Sequence, residues 1–100
     1  MDTQSVTDLL DDLTGWTLLK TGGENLHDAI YKAFMFKNFR STMNFLNRIA
    51  ETAESEGHHP DFCVHYNEVE FTIWTHAING LHENDFILAA KIDEISEEFR

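Results

Sequence analysis

The sequence predicts an α+β fold: a four-stranded antiparallel sheet with helices on one face, in the order α-β-β-α-β-β-α. Two long segments carry apolar residues at helical spacing, and four short segments have the composition of strands. Short turns join consecutive strands, which favours antiparallel pairing. The 100 residues leave room for a single domain, spanning 1–100.

The first half of the chain predicts one helix and two strands. A helix from 5 to 13 carries apolar residues at helical spacing, and Ser5 or Thr7 is expected to cap it. Trp16–Lys20 is a short β-prone segment, and Ala29–Phe36 follows a glycine-rich turn as the second strand. The second strand is apolar on both faces. We therefore expect it to be central, or partly covered by another subunit.

The second half predicts a helix, a pair of strands and a last helix. Asn38 is expected to cap a helix that runs to about Glu56. Strands follow at about Phe62–Tyr66 and Val69–Trp74, and the final helix spans about Asn84–Phe99. The long helix is expected to pack on the sheet through an apolar stripe made of Thr42, Met43, Leu46, Ile49, Ala50 and Ala53.

The charge balance and the apolar pattern exclude several function classes. Seven Lys and Arg against eighteen Asp and Glu give a net charge of −11, which argues against nucleic acid or an anionic membrane as a direct partner. The longest apolar run is far shorter than the roughly 18 residues of a membrane span. The acidic N-terminus lacks the apolar stretch of a signal peptide, and Cys63 has no second cysteine for a disulfide. We expect a cytoplasmic protein.

Three of the six histidines are predicted to meet at one end of the sheet. His58 and His59 precede Pro60 at the junction between the long helix and the third strand, while His76 follows the last strand. The start of one antiparallel strand lies beside the end of its neighbour, so these rings should share one edge. Glu54 lies one helical turn before His58, where it is expected to orient the imidazole. Such a cluster suits proton transfer near neutral pH.

Other interpretations of these residues remain open at this point. The three histidines with Glu54 could hold a zinc ion, although adjacent histidines on an extended segment tend to point to opposite sides. Asp85 fits the first turn of the last helix, where a carboxylate suits the helix dipole. Trp74 either packs in the fold or contributes to the site beside it. The remaining histidines are taken as surface or turn residues: His27, His65 and His82.

The spacing of the candidate residues is specific. Glu54-x3-His58-His59-Pro60 is followed by Tyr66 after five residues, by His76 after nine more, and by Asp85 after eight more. This ordered set resembles the signature of the pterin-4a-carbinolamine dehydratase family, and the likeness extends from about Leu9 to the C-terminus. The sequence departs from the family pattern at Phe62, where many members have Trp. It also departs at His82, where Thr or Ser often caps the last helix, so we expect the capping box ending at Asp85 to lose its first member.

The resemblance implies dehydration of a 4a-hydroxytetrahydropterin to quinonoid dihydropterin and water, in tetrahydrobiopterin recycling, without a metal or an organic cofactor. It implies that His58 and His76 transfer protons, that His59 holds the pterin, and that Glu54 sets the orientation and charge of the imidazoles. The implied assembly is a homodimer or homotetramer. Substrate contacts are expected from His59, Pro60, Trp74, Thr75 and Asp85.

Three alternative functions remain. Some members of the family are dimerisation partners of a homeodomain transcription factor, a non-catalytic role in which the protein touches the activator and not the DNA. A dehydratase-like protein of another pterin pathway, such as molybdopterin metabolism, also fits the resemblance. The residues alone further allow a histidine metal-binding module. Turnover that a chelator does not affect would remove the metal option, and absence of turnover in a folded protein would favour a binding role.

Overall fold

The helices and strands follow one another along the chain in the predicted order, α-β-β-α-β-β-α. A computed structural model describes residues 1–100. Short 3₁₀ turns lie at Gly23–Asn25, His76–Ile78 and Glu97–Phe99. The helices and strands are α1 (Thr3–Asp11), β1 (Thr17–Thr21), β2 (His27–Met35), α2 (Phe39–Glu56), β3 (Asp61–His65), β4 (Glu68–Ile73) and α3 (Glu83–Ser96).

The four strands form one antiparallel sheet in the order β1-β2-β4-β3. The predicted fold class is therefore confirmed, with element ends that differ from the predicted ones by a few residues. Strand β4 alternates as its sequence predicts, because Val69, Phe71 and Ile73 are fully buried. The register places Phe34 of β2 opposite Val69, and Phe62 of β3 opposite Phe71. None of the helices combines the length and the apolar composition that a bilayer span requires.

The ends of the helices are set by side-chain caps and by one glycine. The carboxylate of Asp2 accepts the backbone N–H of Ser5 at 2.8 Å, so α1 begins at Thr3 and the predicted capping by Ser5 or Thr7 is wrong. Asn38 caps α2 as predicted. Gly57 ends α2 with a φ of 65°, a left-handed conformation that glycine adopts at little cost.

The core lies between the sheet and the helices and centres on an aromatic cluster. The Phe45 ring of α2 is fully buried, with its centroid 5.7 Å from that of Phe34 and 5.9 Å from that of Phe71. The predicted stripe on α2 omitted Phe45 and wrongly included Met43 and Ala50, which are exposed. The helix is rotated relative to the predicted stripe, so that its buried residues are Thr42, Phe45, Leu46, Ile49 and Ala53.

The outer face of the sheet, opposite the helices, is open. Strand β2 is central as predicted, but Ala33 and Met35 are exposed on this face. A hydrogen-bonded chain lies on the same face: the Tyr31 hydroxyl donates to Glu70 Oε1 at 2.5 Å, and His65 Nε2–H donates to Glu70 Oε2 at 2.9 Å. Both bonds favour the carboxylate and lower the pKa of Glu70. The bond to Glu70 also raises the pKa of Tyr31 to about 12.

We expect Tyr31 to ionise near pH 12, because loss of its proton places a phenolate beside the Glu70 carboxylate. The raised pKa favours the protonated phenol in the folded state, so its stabilising contribution is complete below about pH 10 and is lost as the pH rises through about 12. The ultraviolet absorbance of the phenolate measures this titration in Tyr66→Phe, where Tyr31 is the sole remaining tyrosine. Adding Glu70→Gln should lower the midpoint, and an unchanged midpoint would contradict the assignment.

Candidate active site

The backbone brings two segments of the chain to one end of the sheet. The N–H groups of Gly57 and His58 bond back to carbonyl oxygens in the last turn of α2, so the chain turns sharply into the His58-His59 junction. At the end of β4, Thr75 pairs with Gly80 across a tight loop, and His76 begins a 3₁₀ turn. The junction and the loop therefore face each other across the pairing of β3 with β4.

A cavity of about 370 Å³ lies between these two segments. We call it the histidine cavity. His58, His59 and His76 all line it, as the strand topology predicts, together with two of the residues expected to contact a substrate, Trp74 and Thr75. The full lining is Gly57, His58, His59, Trp74, Thr75, His76 and Ala77.

The His58 ring is held by a buried carboxylate. Asp85 lies in the first turn of α3 with 0% exposure. Its Oδ1 accepts His58 Nε2–H at 2.5 Å, and its Oδ2 accepts the Thr75 hydroxyl at 2.9 Å and the His82 backbone N–H at 2.8 Å. These three donors from three parts of the chain offset the cost of burying a charged group. The bond to Asp85 keeps the proton on Nε2 of His58 and leaves Nδ1 as the ring atom that can exchange a proton.

This position alters the expected role of Asp85. The family resemblance implied that Asp85 contacts the substrate, but its carboxylate is fully buried beneath His58 and is not among the residues that line the histidine cavity. Its geometry suits orientation of His58 and Thr75 instead. The carboxylate also benefits from the N-terminal dipole of α3, as the sequence indicated.

Glu54 pairs with His59, so the prediction that it orients His58 is wrong. His59 Nε2–H donates to Glu54 Oε2 at 2.6 Å, and both side chains are exposed. Helical spacing stops at Gly57, so the chain carries His58 towards Asp85 and leaves His59 beside Glu54. An exposed pair is weakened by solvent and salt, so Glu54 holds His59 less firmly than Asp85 holds His58.

His82 takes the place of the usual Thr or Ser, and the capping box is complete with His82 as its first member. Its Nδ1 accepts the backbone N–H of Asn84 at 3.1 Å, while Asp85 accepts the backbone N–H of His82. An imidazole lone pair here replaces the usual hydroxyl oxygen. The cap positions Asp85, and through it His58.

His27 was taken as a surface or turn residue, but it begins β2 and its side chain is buried at 5% exposure. Its ring lies against Trp74, which in turn stacks on His76. The signal for this position lies in the strand register: β2 and β4 pair with Ile30 opposite Ile73, and continuing that register brings His27 to the level of His76. His65 lies on the outer face, in agreement with its prediction as a surface residue.

Comparison with known proteins establishes the family. Residues 1–95 match the family described as "Pterin 4 alpha carbinolamine dehydratase". The chain belongs to this family. A curated relative from Arabidopsis thaliana, named "Pterin-4-alpha-carbinolamine dehydratase 2, mitochondrial", is 48% identical over 98% of this chain and 51% of its own length. The chain thus spans about half the length of that relative.

Two solved structures resemble this pterin carbinolamine dehydratase family member. A protein from Brucella melitensis, described as a transcriptional coactivator/pterin dehydratase, has a TM-score of 0.83 and 34% identity, covering 95% of this chain and 96% of its own. A pterin dehydratase-like protein described as a RuBisCO assembly factor in the alpha-carboxysome has a TM-score of 0.67 and 22% identity, covering 82% of this chain and 89% of its own. The second match supports the fold alone.

Pro60, the last of the predicted site residues, lies beside the histidine cavity. Pro60 lines an adjoining cavity of about 450 Å³, which also contacts Glu54 and His59. His59 therefore borders both cavities. No group of three or more His, Cys, Asp or Glu side chains has an arrangement that could hold a metal ion. The residues lining the second cavity are Leu46, Ile49, Ala50, Ala53, Glu54, His59, Pro60 and Phe62.

Proposed function

We propose that this chain dehydrates a 4a-hydroxytetrahydropterin to quinonoid dihydropterin and water. The observation that carries the proposal is the histidine cavity, where three imidazoles converge and a buried carboxylate holds one of them. Its volume of about 370 Å³ lies within the range of small-molecule sites, about 300–1,000 Å³. Membership of the family and the name of the Arabidopsis relative support the same chemistry.

The reaction needs one proton delivered and one removed. The bond between the bridgehead carbon and its hydroxyl breaks, and the hydroxyl leaves as water once an acid has protonated it. The neighbouring ring nitrogen supplies the electron pair that forms the C=N bond and gives its own proton to a base. The proton count balances and no electron is exchanged with an outside reagent, so acid–base catalysis worth about 10²–10⁴-fold is the principal need.

In this proposal the three histidines have complementary parts. His58 presents Nδ1 for proton transfer, since Asp85 occupies Nε2. His76 makes no side-chain hydrogen bond within the chain and lines the same cavity, so it is the second proton carrier in this proposal. Glu54 occupies Nε2 of His59, which leaves Nδ1 to hold the pterin by a hydrogen bond. Thr75, whose hydroxyl donates to Asp85, lines the same cavity.

The decisive experiment follows the ultraviolet absorbance of freshly generated 4a-hydroxytetrahydropterin with and without the chain. We expect its disappearance to accelerate in proportion to protein concentration and to be unchanged by a chelator. The double variant His58→Ala with His76→Ala serves as the control for catalysis by unrelated surface groups. Absence of acceleration by a protein with native circular dichroism would contradict the proposal. Loss of acceleration on chelation would instead favour the metal-binding alternative.

A binding role is the second candidate, and the open outer face of the sheet favours it. Ala33 and Met35 are exposed there on the central strand. The Brucella relative is described as a coactivator as well as a dehydratase. Independently of either role, the family resemblance implies a homodimer or homotetramer, and analytical ultracentrifugation measures this oligomeric state. A folded chain without turnover would favour the binding role over dehydration.

A further inference from the structure

Three aromatic rings, one from β2 and two from the segment that follows β4, form a continuous stack that ends at His76. The centroid of the His27 ring lies 3.6 Å from that of Trp74, with an angle of 33° between the planes. On its other side, Trp74 lies 3.8 Å from His76 at 12°, which is parallel stacking. Trp74 is therefore enclosed between two imidazoles, one buried and one bordering the histidine cavity.

Different contacts hold the imidazole rings of the three histidines that line the cavity. His58 is bonded to Asp85 and His59 to Glu54. His76 has no such partner, and the contact that fixes its ring plane is the face of Trp74. Stacked aromatic pairs attract each other beyond the area they bury, so this contact favours one orientation of the His76 ring.

The far end of the stack is rigid. His27 Nδ1–H donates to the carbonyl oxygen of Asn25 at 3.0 Å, which fixes the ring and its tautomer. Gly22 packs against the same ring with a φ of 104°, and a Cβ at this position would lie 2.7 Å from His27 Nδ1. The ring is thus confined between the turn and the indole of Trp74.

The buried ring of His27 carries a cost that packing alone does not explain. Its Nε2 is buried and has no hydrogen-bond partner. An unpaired buried polar atom is unfavourable, and in native structures it calls for a specific reason. A flat ring whose edge is anchored by a hydrogen bond can support an indole face, whereas an aliphatic side chain would not fix its plane.

We propose that His27 is a positioning residue for His76 and acts through Trp74. This inference rests on the proposed function, in which His76 transfers a proton. The indole of Trp74 donates Nε1–H to Asp61 at 3.3 Å, and the anchored ring of His27 supports one of its faces. The opposite face of the indole sets the plane of His76 at the cavity. A proton carrier held in the correct orientation needs no reorganisation when the substrate binds.

Two variants distinguish the contribution of the His27 ring from that of its hydrogen bond to Asn25. His27→Asn keeps a side-chain donor for Asn25 but removes the ring, and we expect kcat to fall about tenfold with KM changed by less than about twofold. His27→Phe keeps a flat ring but loses the hydrogen bond that anchors it, so its kcat should fall by less than that of His27→Asn. His65→Asn, the same substitution at an exposed histidine of the outer face, is the matched control and should leave kcat unchanged.

Nuclear magnetic resonance of the His76 ring provides a readout that does not depend on turnover. Stacking on Trp74 should shift its ring protons upfield. We expect this shift to persist in His27→Phe and to decrease in His27→Asn. If the wild-type chain has no dehydratase activity, the proposed function fails, and these shifts still test the positioning. An active wild type with unchanged kcat and unchanged His76 shifts in His27→Asn would overturn the inference about His27 alone.

If His27→Asn does not fold, the pair Trp74→Phe and Trp74→Leu replaces it. Phenylalanine preserves a stacking face and should keep most of the upfield shift of His76, whereas leucine should abolish it and lower kcat by about tenfold. Equal kcat values in the two variants, with thermal unfolding that shows both to be folded, would overturn the proposal.

Discussion

His58→Ala and His76→Ala are each expected to lower kcat for 4a-hydroxytetrahydropterin by about 10²–10⁴-fold, because each removes one of the two proton carriers. His76 makes no side-chain hydrogen bond, so its loss should affect turnover more than folding. Loss of His58 also removes a donor from the buried Asp85 carboxylate and should lower stability, so thermal unfolding of that variant is measured beside its kcat. Stopped-flow absorbance at saturating substrate measures kcat directly. His59→Ala should instead raise KM more than it lowers kcat, since the proposed part of His59 is to hold the pterin.

The control for these variants is His65→Ala. His65 is an exposed histidine that bonds to Glu70 on the outer face, away from the cavity, and its loss should leave kcat unchanged. A decrease smaller than about tenfold in both His58→Ala and His76→Ala would contradict the acid–base assignment. A large effect in only one of them would assign both proton transfers to that ring or to water.

The sequence was sufficient to predict the sheet and the meeting of the histidines. The alternation of Val69, Phe71 and Ile73 is a local property, and it determines which side of β4 faces the core. Once β3 and β4 are paired, antiparallel geometry brings the segment before β3 beside the segment after β4. The convergence of His58 and His59 with His76 therefore follows from strand order, without knowledge of any side-chain contact.

The partners of these histidines could not be predicted in the same way. Helical spacing suggested that Glu54 faces His58, but the left-handed turn at Gly57 ends the helix between them. Asp85 looked like an ordinary first-turn carboxylate, since its burial depends on donors from the α2–β3 junction, from the loop after β4 and from its own cap. Such burial depends on the tertiary fold, and the spacing of apolar residues along the sequence does not predict it.

Asp85→Ala is expected to lower the free energy of unfolding by about 3–5 kcal/mol, because it leaves three donors facing a buried site without an acceptor. Those donors are His58 Nε2–H, the Thr75 hydroxyl and the His82 backbone N–H. Native stability is typically about 5–15 kcal/mol, so the variant should unfold at a much lower urea concentration. Its kcat should also fall, since His58 is no longer held in one tautomer and orientation.

Asp85→Asn separates the two effects. Its carbonyl oxygen can satisfy the backbone N–H of His82 and the Thr75 hydroxyl, which leaves its NH₂ group facing Nε2 of His58. That donor favours the tautomer of His58 with its proton on Nδ1, which is the atom proposed to exchange a proton. We therefore expect a large decrease in kcat and a smaller loss of stability than in Asp85→Ala. Asp93→Asn is the matched control, because Asp93 on the same helix accepts from Trp16 and Lys32 away from the cavity. It should reduce stability and spare kcat. A wild-type kcat in Asp85→Asn would show that the tautomer of His58 does not limit the reaction.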